Sequence, residues 1–215
     1  MANPFKGTSL TTLWLEINFG SAISADTIAI HGHNLLTGSS IVLKSGNSPA
    51  PSSTLATLTW REFDMWQGFT DPSHQYYRLE ITDSNTDPLA IGELVIGDRV
   101  NLSAKMSYGF MQGNMHQKVQ HETIRGVKYV YDLFDRRVYT AQFQSIQDNM
   151  LAELNTLDGL TSGAKYPWTW IPNVDLSDVY YVRKENEYKN QSRRHNEWDV
   201  TLTLEEESRG GEVTL

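Results

Sequence analysis

Cysteine is absent from the 215-residue chain, so disulfides and thiolate metal sites are excluded, and stability has to come from packing or assembly. Long apolar runs are absent too. None approaches the roughly 20 residues a membrane helix needs, so no membrane insertion is expected. The opening "MANPFKGTSLTT" lacks the charged-then-apolar order of a signal peptide. Positive charge is scarce: the net charge is -8, with 10 acidic against 5 basic residues up to Leu102 and 16 against 13 after it. Without a basic stripe, sequence-specific reading of a duplex is not expected, whereas an acidic surface lets DNA slide past unretained. Neither a nucleophile elbow nor a glycine-rich phosphate loop occurs, and no repeat has a solenoid or propeller period.

Large apolar side chains are plentiful. Hydrophobic residues make up 39% and aromatics 11% of the chain, with six Trp and ten Tyr, which is more than a disordered chain carries. The length suits one large domain or two of about 100 residues, and two small β domains fit the pattern better.

The stretch "TLWLEINFG", Thr12 to Gly20, sends Leu13, Leu15, Ile17 and Phe19 to one side of an extended chain and Trp14, Glu16 and Asn18 to the other. The same alternation marks "TIAIH", "SIVLK", "YYRLEIT" and "GELVIGD" as strands. Between them lie "GHNLLTGSS", "SGNSPAPSST" and "DSNTDP", whose Gly, Pro, Ser and Asn supply turns. Up to about Leu102 the pattern is all-β, most simply a sandwich.

"NLSAKMSYGF" marks the crossing into a second unit, residues 103–215, where alternation resumes and charge rises. Strands are expected at "GVKYVYDLF" and "RRVYTAQF". Phe143, Ile146, Met150, Leu154 and Leu157 then fall three or four apart, as on one face of a helix, with Thr140 as its N-terminal cap and Gly159 at its end. Further strands follow in "YPWTWIPN", "DVYYVRKEN" and "EWDVTLTLEEE". In the last, Trp198, Val200, Leu202 and Leu204 alternate with polar residues. The second unit reads as an α+β module, close to β-β-α-β-β, with one helix.

Candidate sites are few. "HGHN", His31 to Asn34, could offer two imidazoles to a metal, but no third ligand is forced nearby, and a turn histidine pair is the stronger reading. "SHQYY" places His74 beside Tyr76 and Tyr77 without a nucleophile. Glu205, Glu206 and Glu207 end a strand, where neighbours point to opposite faces, so they suit a solvated edge or an interface charge cluster better than an acid-base pair. Arg183, Lys184, Lys189, Arg193 and Arg194 form a loose basic segment among Tyr180, Tyr181 and Tyr188, diluted by Glu185 and Glu187. It resembles a hairpin tip suited to the acidic tail of a neighbouring subunit more than to nucleic acid. Trp168, Trp170 and Ile171 sit between two prolines, where the Trp pair either caps its own core or anchors a partner.

Two resemblances follow from these stretches. "LWLEINFGSAISADTIAIHGHNL", with "YYRLEITD", resembles the discoidin-like (galactose-binding-like) jelly-roll sandwich over about the first hundred residues. The closing "NEWDVTLTLEEE", after "PWTWIP" and "VYYVR", is similar to C-terminal regions of tail proteins of long-tailed bacteriophages. Trp198, Val200, Leu202, Leu204, Glu205 and Glu206 match a Trp-x-Val-x-Leu-x-Leu-Glu-Glu run. Distal tail proteins of such phages pair a ring-forming, tail-tube-like β module with a β-sandwich, usually with the ring module first; here the order is reversed.

The resemblance implies a mainly β chain: a jelly-roll sandwich, 1–102, followed by a ring-forming tail-tube-like α+β domain, 103–215. It implies a structural protein of the tail tip or baseplate in the virion, assembled in the host cytoplasm, whose ring joins tail tube to tip around the DNA channel. The expected partners are copies of itself, as a hexamer with a trimer as the other option, together with tail tube and baseplate hub proteins. Assembly is expected to use Trp168, Trp170, Trp198, Val200, Leu202, Leu204, Glu205, Glu206, Arg183, Arg193 and Arg194. No enzyme activity, cofactor or metal is implied. The alternative is a carbohydrate-binding module for host-surface glycans.

Overall fold

The computed structural model describes residues 5–9, 11–70, 73–103, 106, 111–123, 127–172, 178–185 and 189–207. Strands hold 58% of the chain and helix 8%, so the fold is mainly β, as the alternation predicts. Contacts divide the chain into two units, one holding Met1–Arg99 with Thr169–Tyr180 and the other Val100–Trp168 with Tyr181–Ser208.

The first unit contains β1 (Phe5–Lys6), β2 (Thr12–Ile23), β3 (Thr27–His33), β4 (Ser40–Gly46), β5 (Ser53–Leu58), β6 (Met65–Gly68), β7 (His74–Thr82) and β8 (Ala90–Gly97). They form two antiparallel four-stranded sheets, ordered β1-β8-β3-β6 and β2-β7-β4-β5. Apart from β4 and β5, each strand is followed by one in the other sheet, which is the jelly-roll winding. One core fills the sandwich, built from Leu13, Ile28, Ile30, Ile41, Leu43, Met65, Tyr77, Leu79, Ile81 and neighbours. Each such side chain contributes about 1.5–3 kcal/mol on burial. In β2 the sides divide as the sequence predicts: Leu13 is buried and Trp14 is 61% exposed. Phe19, just past the last regular pair with β7, stays partly exposed and meets Tyr77 edge-on at 5.6 Å.

Between the pairs His31 with Glu93 and His33 with Ile91, β3 and β8 touch backbone to backbone. A Cβ at Gly92 would lie 2.8 Å from the His31 carbonyl oxygen, and Gly32 opposite has a φ of +63°, so both positions need glycine. Polar side chains knit the loops at this end. The Asn34 side chain accepts from Ala90 N (2.8 Å) and donates to the Pro88 carbonyl (2.9 Å). Asn85 donates to the Asn34 carbonyl (2.5 Å), and Asp83 accepts from Leu36 N (3.0 Å).

The second unit contains β9 (Met111–Glu122), β10 (Lys128–Ile146), α1 (Asp148–Leu160), β12 (Tyr180–Lys184), β13 (Lys189–Arg194) and β14 (Glu197–Glu206); a short β11 (Trp168–Trp170) precedes β12. Strands β12, β14, β10 and β9 follow one another across the sheet, and β13 also pairs with β14. Tyr139, Ala141, Phe143, Val200, Leu202 and Leu204 are buried together with Met150 and Leu154 of the helix.

Two expectations need correction here. Where two strands were expected at "GVKYVYDLF" and "RRVYTAQF", one strand, β10, runs from Lys128 through both, with a register shift between Asp132 and Phe134 instead of a break. The helix does not begin near Thr140. Phe143 and Ile146 belong to β10, and a bulge at Ser145, with a φ of 53°, returns Ile146 to the core side three residues after Phe143. That bulge mimics helical spacing. The helix starts after Gln147, which makes no side-chain cap bond. At the other end Thr161 closes it with two bonds to the Leu157 carbonyl, and Gly163, at a φ of 71°, donates to the Asp158 carbonyl. Much of "NLSAKMSYGF" lies outside the described residues.

His33 Nδ1 accepts from Leu35 N (3.2 Å). Burial pushes this imidazole below its ordinary 6.5, against the opposing pull of Asp64, the Arg61 main chain and Asp83. The unfolded chain therefore takes up a proton before the folded one does. The stability this group contributes is fully present above about pH 6.5 and is lost as pH drops through the window below it. His33→Asn, whose Oδ1 stands where Nδ1 does and can still accept from Leu35, should flatten this decline. Urea midpoints at pH 7.5 and pH 5.5 measure it: the drop between them should be smaller in the variant than in the parent.

Candidate assembly interface

Strand β14 has partners on both edges. β10 lies along one, from Val138 opposite Glu205 to Ile146 opposite Trp198. Along the other, β12 pairs with Leu204–Glu206 and β13 with Glu197–Thr201. Val200, Leu202 and Leu204 are buried in the unit's own core, so their side chains are not available to a neighbour. Trp198 donates through Nε1 to Asp148 Oδ1 (2.7 Å), tying the last strand to the first turn of α1.

Of the charged residues named from the sequence, Glu205, Glu206, Arg183 and Arg193 find partners within the chain. Arg136 meets Glu205 at 2.6 Å and Arg137 meets Glu206 at 3.0 Å. Arg183 pairs with Glu207 and Lys184 with Asp158, while Arg193 meets Asp199 at 2.6 Å. Glu206 is 5% exposed and shares the inward side with Leu204, so it is not part of a solvated edge; the Tyr139 hydroxyl lies 3.4 Å from its carboxylate. Arg193 and Arg194 sit at the β13–β14 hairpin, whose turn includes Asn196 at a φ of 60°. Arg183 and Lys184 belong instead to β12, where Lys184 is buried. Residues 186–188 lie outside the described residues.

Trp168 is half-buried and lines a small gap with Leu154, Leu157, Lys184 and Leu202. Trp170, in the first unit, packs at 6.0 Å on Tyr180. His31 Nε2 is 2.9 Å from Thr169 Oγ1, with Asp64 3.4 Å from Nδ1. At 5% and 4% exposure, the His31 and Asp64 side chains offer no approach to a substrate, and the chain of contacts acts as a latch on the Thr169 segment. His33 turns Nδ1 to Leu35 instead, so the two imidazoles do not converge. Among the described residues no group of three or more His, Asp or Glu side chains is placed to hold a metal. Tyr77 is a core residue whose hydroxyl donates to the Ile23 carbonyl (3.3 Å).

The feature that sequence reasoning missed is the β9–β10 hairpin. β14 accompanies β10 only from Val138 onward. Lys128–Arg137 pairs with β9 alone among the described residues, a two-stranded ribbon of roughly 33 Å at the usual strand rise. Val127, Tyr129 and Val130 are 50%, 51% and 54% exposed, and Met111 and Met115 on β9 are also exposed. The opposite edge of β9 has no partner among the described residues. The available signal was "KYVYDLF" itself, an apolar-rich run with no partner run nearby of matching apolar alternation.

No protein-family model, curated protein or solved structure matches the chain.

Removing the cation from Glu206 tests the internal pairing. Arg137→Ala should cost about 2 kcal/mol, because it leaves a buried carboxylate with less compensation. The double variant Arg137→Met with Glu206→Leu should recover most of that. Equilibrium urea unfolding measures both.

Proposed function

We propose that this protein is a structural, self-assembling component of a phage tail tip, in which the second unit forms a closed ring and the first is a discoidin-like sandwich. The observation that carries the assembly reading is the β9–β10 ribbon. An isolated two-stranded ribbon is marginal in water, and this one adds exposed Val127, Tyr129 and Val130 to an unpaired backbone edge. A second copy of the chain satisfies both. Its β13, which pairs only with β14 among the described residues, offers a complementary edge. Joining two different edges is a head-to-tail contact, and when its rotation closes it gives a ring with no free strands.

The tail-tip part of the proposal rests on the run Trp198, Val200, Leu202, Leu204, Glu205, Glu206 and on the pairing of a sandwich with an α+β module. Hexamer is the expected size, with tail tube and baseplate hub proteins as its neighbours. With a net charge of -8, the ring's passage is suited to let DNA through unretained. Its role is mechanical and needs no cofactor. The interface differs from that expected of the last strand: β14 supplies the core, and the ribbon supplies the contact.

Light scattering of the full chain over a concentration series tests this. A discrete oligomer is expected, and Tyr129→Lys with Val130→Glu should weaken its association at least tenfold, since such anchors contribute about 1–2 kcal/mol each. Both side chains are exposed in the single chain, so its unfolding midpoint should hardly move. A monomer at every concentration, or an oligomer indifferent to the double substitution, would overturn the ribbon's role.

A further inference from the structure

The chain has no cysteine, so the thioethers of methionine are its only sulfur groups open to oxidation. Their placement is uneven. Met65 and Met150 are 0% and 1% exposed in the cores of the two units, and Met106 is half-buried. Met111 and Met115 are 57% and 37% exposed, and both lie on β9, the strand whose outer edge has no partner among the described residues.

The ladder with β10 puts these two on one side of the sheet. Met111 lies opposite Thr140, Gly113 opposite Val138 and Met115 opposite Arg136, with no register shift between them. Tyr139, between Val138 and Thr140, is buried in the core, so both methionines stand on the other side. A Cβ built on Gly113 would meet nothing within 4 Å. Glycine inside a strand marks a place where something else comes close, yet among the described residues nothing of the same chain fills this gap. The two thioethers therefore flank an open notch beside an unpaired edge.

We propose that Met111 and Met115 form an oxidation site that controls assembly: their sulfoxides block the pairing of β9 with a second copy, and pairing shields them from attack. The inference rests on the ribbon's role in the ring. The oxidant is a peroxide. The thioether sulfur attacks one peroxide oxygen, an S–O bond forms as the O–O bond breaks, and the other oxygen leaves as water after taking up the proton of the transferred one. Sulfur gives up two electrons and the peroxide takes them. In the free chain the new S=O group faces solvent and costs the fold little. In the assembly, a strand paired beside β9 lays its own side chains over the notch. An adaptable thioether fills such a gap, whereas a sulfoxide has to shed its water to enter it.

Hydrogen peroxide treatment of the full chain, followed by peptide mass spectrometry and light scattering, provides the test. Met111 and Met115 should gain oxygen about tenfold or more faster than Met65 and Met150. Conversion of both should weaken association about tenfold or more, and methionine sulfoxide reductases should restore it. Met111→Leu with Met115→Leu should assemble as the parent does and keep its association in peroxide. Met111→Gln with Met115→Gln should weaken association without any oxidant, while the unfolding midpoint hardly moves. Both methionines should also oxidise more slowly in the assembled parent than in Tyr129→Lys with Val130→Glu. Equally fast oxidation of Met65 or Met150, full conversion without loss of association, equal loss in the leucine variant, or equal rates in assembled and unassembled chains would each overturn the site. If the Tyr129 and Val130 variant weakens association and sulfoxidation does not, only the oxidation site fails; an untreated parent that is monomeric at every concentration overturns both proposals.

Discussion

The second unit is governed by a mismatch in strand length. β10 runs for 19 residues and its inner neighbour β14 for 10. Where the two overlap, from Val138 to Ile146, β10 is paired on both edges as far as Thr140, and Tyr139, Ala141 and Phe143 are buried with the helix. Beyond Arg137 toward its start, only β9 accompanies it among the described residues, and Tyr129 and Val130 there are exposed. The same strand is core at one end and uncovered ribbon at the other. Hydrophobic burial, the main stabilising term, is complete over only part of its length in a single chain.

Register across β10 and β14 is fixed by more than apolar alternation. Arg136 and Arg137 are consecutive and so point to opposite sides of the sheet, as do Glu205 and Glu206, and each Arg meets its own Glu. A slip of one residue would send Glu206 outward, bring Glu205 into the core and turn Val200, Leu202 and Leu204 to solvent. An ion pair with one nearly buried partner adds little net stability, but misplacing it is costly, so it discriminates between registers. Such pairing consumes the charges that the sequence offered to a neighbour. The assembly proposed above accordingly relies on apolar side chains and main chain.

The first unit was the more legible half. Its strands alternate cleanly and its turns carry Gly, Pro and Asn, so "TIAIH", "SIVLK" and "YYRLEIT" appear where the pattern places them. The jelly-roll order of the sheets agrees with the expected sandwich. In the second unit local pattern failed at irregularities. The Ser145 bulge gave β10 a helical spacing, and the Asp132 to Phe134 shift looked like a strand boundary. The candidate interface was hardest to read, because partnership there is long-range: Arg136 and Glu205 are separated by 69 positions, and no local rule pairs them. Trp198 and Val200 were singled out for an alternation that equally describes a central strand. Only the sheet order, with partners on both edges of β14, decides between those meanings.

A second long edge strand shows why the ribbon is the better candidate for pairing with another copy. β2 is 12 residues long and also lies at the edge of its sheet. Its register with β7 is broken between Asn18 and Ile23, and Gly20 there has a φ of 78°, so its far end departs from a regular ladder. Irregularity of this kind blunts an edge against pairing with another chain. β9 is equally long, and its pairing with β10 skips no residue of β9 from Met111 to Glu122. Two edges of similar length therefore differ in character: the irregular one borders a polar surface, and the regular one borders exposed apolar side chains, which is why the proposed assembly is placed there.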